Sequence, residues 1–114
     1  MSLNNTSPII WHKTLDQRMN TFPKHQQILM VCNELNRGEN NMKYPEEYHR
    51  CMERALELID LLSGDPRWIS GLKELRRGRR EIARHYVNPV PQSTRQLQRV
   101  LIQLDKNAWE MIGK

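Results

Sequence analysis

The chain has 114 residues and a mass of 13.6 kDa, enough for one hydrophobic core and too little for two. Hydrophobic residues make up 38% and aromatic ones 6%, so that core must be built from Leu, Ile, Val and Met around a few large anchors. A net charge of +5 admits an anionic partner without requiring one, and no apolar run approaches the ~20 residues that cross a bilayer.

Residues 1–7 carry little to bury and are expected to be a disordered or vector-derived tail, which leaves 8–114 as a single helical domain. Helical periodicity recurs along that stretch and strict alternation does not, which predicts an all-α fold. Ser7-Pro8 starts a short first helix running to about Asn20, with Trp11, Leu15, Met19 and Phe22 at near-helical spacing, as a brace across the others. A second predicted helix runs from Pro23 to Arg37 and closes on Gly38, with Ile28, Val31, Cys32 and Leu35 inward. The third, from Pro45 to about Ser63, is the most regular: Tyr48, Met52, Ala55, Ile59 and Leu62 repeat at intervals of four and three. Its first turn holds Glu46 and Glu47, where the helix dipole favours them.

Ser63-Gly64-Asp65-Pro66 then ends one helix, caps the next and starts it, which predicts a tight antiparallel hairpin. The fourth predicted helix, Pro66 to about Val87, turns Trp68, Leu72, Leu75, Ile82 and Tyr86 inward, with Gly71 and Gly78 placed for close approach of a neighbouring backbone. After the stiff connector Asn88-Pro89-Val90-Pro91-Gln92, a last helix from Ser93 to Ile112 is capped by Ser93 or Thr94 and turns Leu97, Leu101, Leu104, Ala108 and Met111 inward. The sum is an antiparallel up-down four-helix bundle with an additional short N-terminal helix.

Charge separates the two arms of the hairpin. From Asp65 to Val87 there are seven basic residues against three acidic ones; from Pro45 to Leu62 there are five acidic against two basic. Much of the basic excess is therefore expected to face the acidic helix. Lys73, Arg77, Arg80 and Arg84 nevertheless share one outer stripe of about 16 Å, a length that suits several phosphates or an acidic protein surface. Glu74 and Glu81 are spaced to pair along the helix with Arg77 and with Arg84 or His85. Arg79 stands between Leu75 and Ile82, where the heptad asks for an apolar residue. Its guanidinium is expected to reach Glu53 or Glu57 across the hairpin as a polar seam residue; the alternative is a charge aimed into an anion pocket.

The segment Arg80-Glu81-Ile82-Ala83-Arg84-His85-Tyr86 resembles the R-x4-H signature of the HEPN ribonucleases, which are small helical bundles. The resemblance covers these positions only, and the polar residue that the family places after the Arg, often Asn, is Glu81 here. It implies RNA cleavage with Arg80 and His85 as the catalytic pair. Glu46-x-x-His49 is half of a carboxylate-bridged di-metal motif without its second copy, and His12, His25, His49 and His85 fall on four separate helices, so no metal or other cofactor is expected. Cys32 and Cys51 sit among apolar residues and read as reduced core thiols. The expectation is a non-catalytic, cytoplasmic interaction or regulatory protein that binds a protein partner or its own copy, with a dimer in view and no membrane contact. The alternative is RNA or other polyanion binding through the basic fourth helix.

Overall fold

The computed structural model describes Leu15 and residues 18–113. Trp11, His12 and most of the predicted first helix lie outside the described residues; within them that segment shows a single 3-10 turn, Met19–Thr21. The chain then forms α1 (Lys24–Glu39) and α2 (Pro45–Leu62), followed by a 3-10 run (Pro66–Gly71) that leads into α3 (Leu72–Val87). It ends with α4 (Arg95–Ile102) and α5 (Lys106–Ala108), the latter continued by a π-helical turn (Trp109–Gly113). No strand occurs among the described residues, and no helix there is long and apolar enough to cross a membrane.

The helices pack on one another: α1 on α2, α2 on α3, α3 on α4, and α4 back on α1, with α5 also against α1. The shared core contains Ile28, Leu35, Tyr48, Ile59, Trp68 and Leu101, all essentially out of reach of water. The all-α expectation therefore holds. The four regular legs do not, because the third and fourth depart from continuous helices.

The first departure follows from Asp65. Its carboxylate accepts a hydrogen bond from the Arg67 backbone N–H at 3.0 Å, and Pro66 to Gly71 then wind as a 3-10 helix. This tighter winding carries Trp68 inward, where its indole N–H donates to Gln27 Oε1 at 2.6 Å. Gln27 also donates to the Met19 carbonyl and to Asp65, so one buried amide ties the N-terminal segment, α1 and the start of α3 together. The second departure is at Asp105, whose extended backbone breaks the last helix after Ile102 and whose carboxylate accepts from Ala108 N–H at 3.1 Å.

Gly38 does not end α1, which continues to Glu39; instead it is buried where α1 meets α2, and a Cβ there would lie 2.6 Å from Met52 Cε. Gly78 plays the same part between α3 and α4, facing Leu101 Cδ2. Gly71, by contrast, meets nothing tight. Tyr86 and Met111, expected inward, are exposed, while Leu72 and Leu104 are half-buried. At the α4 N-terminus Thr94 makes no capping bond with its side chain, but the Ser93 hydroxyl accepts from Arg95 N–H at 3.3 Å, and Glu39, from the end of α1, accepts from Thr94 N–H at 2.6 Å and from the Ser93 hydroxyl at 3.0 Å.

Candidate functional site

The basic face of α3 rests on few internal partners. Lys73, Arg76, Arg77 and Arg80 are exposed, and none of them makes an ion pair among the described residues. Glu74 does not engage Arg77 as its spacing suggests. Arg84 is the exception on the outer stripe, held by Glu81 at 3.2 Å one turn earlier. Nor does α2 absorb the excess as expected. Its Glu47 is taken by Arg50 and Arg54 on its own helix, at 3.1 and 2.9 Å. Those guanidiniums, Arg54 first, hold the Glu47 carboxyl below the ordinary range.

Arg79 crosses the hairpin, but to a different acid from the ones anticipated. It grips Asp60 with two bonds, Nε to Oδ1 at 2.6 Å and Nη2 to Oδ2 at 3.2 Å, on an exposed surface. Gly78 and Leu101 fill the seam position instead, because a glycine there lets the α4 leucine enter the space that a long side chain would need. Arg79 is thus half of a surface ion pair with Asp60.

Between α3 and α4 lies a groove of about 440 Å³. Its apolar lining is Gly78, Leu97 and Val100. Arg77, Arg80 and Gln96 bring polar groups to it, and Glu81, His85 and Ser93 complete it. Two of the four anion-site candidates, Arg77 and Arg80, therefore meet in one concave place, while Lys73 and Arg84 stay outside it. Val100 remains 46% exposed there, an apolar side chain left facing water.

The groove is held in shape from behind. Tyr48 donates its hydroxyl proton to the Gln92 carbonyl at 2.7 Å and accepts from Gln92 N–H, and burial raises that phenol above its ordinary range. His49 places its two ring nitrogens against the Pro45 and Asn88 carbonyls, at 2.6 and 2.8 Å. Glu39 fixes Ser93 and Thr94, and also meets Arg95 at 3.3 Å. A wall pinned at this many points loses little freedom when a ligand arrives.

Arg80 and His85, the pair implied by the ribonuclease resemblance, do line the same groove. Arg80 is unpaired. His85 is half-buried, however, and both its ring nitrogens are occupied: Nδ1 by the Glu81 carbonyl at 2.8 Å and Nε2 by the Ser93 carbonyl at 3.3 Å. A neutral ring can donate to only one of these carbonyls, but with both nitrogens facing backbone oxygens the imidazole bridges α3 and the connector and turns neither nitrogen into the groove as a free base. Among the described residues no three His, Cys, Asp or Glu side chains converge on a metal position. Cys32 and Cys51 are free and buried, and burial pushes the Cys32 thiol up to about 12, so it offers no nucleophile near neutral pH.

The groove-lining residues not foreseen are Gln96 and Val100. Val100 stands three positions after Leu97 and beside the inward stripe, which marks a flank; the packing of α3 against α4 turns that flank into a wall. Compared with protein-family models, curated proteins and solved structures, the chain matches none.

Proposed function

We propose that this chain is a non-catalytic interaction protein, an up-down helical bundle whose α3–α4 groove docks a protein partner. The observation that carries the reading is the groove itself: an apolar floor beside two arginines that pair with no carboxylate among the described residues. Arginine beside a desolvated apolar patch is the composition that anchors protein interfaces. A strongly basic helix also suits polyanions, and the exposed, unpaired Lys73, Arg77 and Arg80 favour that second reading. Against it, no aromatic ring lines the groove to stack on bases, and phosphates alone would leave Leu97 and Val100 unused.

Two measurements test the reading. The protein is used as bait in its native cell beside an Arg77→Glu/Arg80→Glu double variant. The expected result is a protein retained by the wild type and lost by a variant of unchanged helicity. Identical retention by both contradicts it. Light scattering of the purified chain identifies the special case of its own copy as partner, through a dimer that the same double variant splits.

A further inference from the structure

On the reading that the α3–α4 groove is the docking site, we infer that its occupant is an amphipathic helix of a partner protein carrying carboxylates one turn apart beside apolar anchors. Arg77 and Arg80 are three residues apart on α3 and both line the groove, so their backbone positions repeat at about 4.5 Å along the axis. Side chains three or four apart on a partner helix repeat at the same interval. Carboxylates match the planar guanidinium with two bonds each, which a point charge cannot do.

The remaining acid at this place, Glu81, is held by Arg84, so the field that an arriving segment meets is set by the unpaired arginines. Val100, 46% exposed beside the buried Leu97, asks for an apolar side chain at the same time. A volume of about 440 Å³ takes a few anchoring side chains and not the body of a domain. A helix presenting anchors at i, i+3 or i+4, and i+7 meets all three demands together.

The test is selection of binders to the full chain from a library of helical peptides randomised on one face. Selected sequences are expected to place Asp or Glu one turn apart next to Leu, Ile or Phe. Their affinity should fall about tenfold or more in Arg77→Glu/Arg80→Glu and in Val100→Asp, and should weaken steadily with added salt. All three positions are exposed, so the variants keep the fold, which circular dichroism checks.

Binders that lack acidic residues yet are lost in Val100→Asp overturn the inference and leave the groove as a docking site. Binders indifferent to both variants, or no binders at all, overturn the groove as well. A single-stranded RNA oligonucleotide that binds with steep salt dependence, is lost in Arg77→Glu/Arg80→Glu and is not displaced by any selected peptide overturns both in favour of a polyanion site.

Discussion

Asp65 is almost fully shielded from water, yet it stays ionised because the Arg67 side chain, the Arg67 backbone N–H and the Gln27 amide all donate to it. These donors, Arg67 foremost, hold the carboxyl well below the usual carboxylate range. The folded state therefore favours the charged form relative to the unfolded chain, whose Asp titrates near about 3.9. That contribution to stability is complete above this value and is lost as the pH falls below it. The midpoint of thermal unfolding should be flat near neutrality and drop steeply in acid. Asp65→Asn should unfold earlier at pH 7, by about 2 kcal/mol, since its amide would set N–H groups against the Arg67 and Gln27 donors, and its acid slope should be shallower. A variant whose acid slope matches the wild type would remove Asp65 from this account. Cys32, also buried, should resist alkylation in the native protein at mildly alkaline pH and react once denaturant is added.

At the scale of elements, what holds the groove is the connector between α3 and α4. Tyr48→Phe removes its anchor at Gln92 while leaving the ring in the core, and should cost about 1 kcal/mol. Hydrogen exchange should quicken across residues 88–93 and stay slow in α1; uniform quickening would mean that the hydroxyl supports the core generally rather than the connector. The two buried glycines should also differ. Alanine at either one gains about 1 kcal/mol of helix propensity. At Gly38 the obstacle is the far end of Met52, an unbranched and flexible side chain, whereas at Gly78 it is the branched end of Leu101, with Ile59 Cδ1 also 3.7 Å from the added Cβ. Gly38→Ala should accordingly be the more stable of the two by about 1 kcal/mol in urea unfolding. The inward stripe of α2 was fully legible, since Tyr48, Met52, Ala55, Ile59 and Leu62 follow one period and all are buried. The 3-10 start of α3 was not, because periodicity over Trp68, Leu72 and Leu75 looks helical whether or not its first turns are tightened by a long-range bond to Gln27. The break at Asp105 left a faint mark, an Asp at a capping position, which the leucine pattern running through it concealed.

Over the whole molecule, the sequence separates an acidic α2 from a basic α3, and their adjacency suggests mutual neutralisation. The structure spends that complementarity on Arg79 and Asp60, turns Glu47 back on its own helix, and leaves the arginines on the far side of α3 for something else. Their outward stripe could be read from spacing alone. Their meeting with Leu97 and Val100 could not, since it depends on how α4 settles against Gly78, a contact between residues more than twenty positions apart. The central claim is that this groove is where a protein partner sits. It is met most directly by placing a photo-crosslinking amino acid at Val100, inside the groove, or at Ile69, which is equally apolar, 76% exposed and outside it, and irradiating the native cell. The account predicts a discrete protein adduct from position 100 that is absent from position 69 and disappears when Arg77→Glu and Arg80→Glu are added; the same adducts from both positions, or an adduct indifferent to the two arginines, would contradict it.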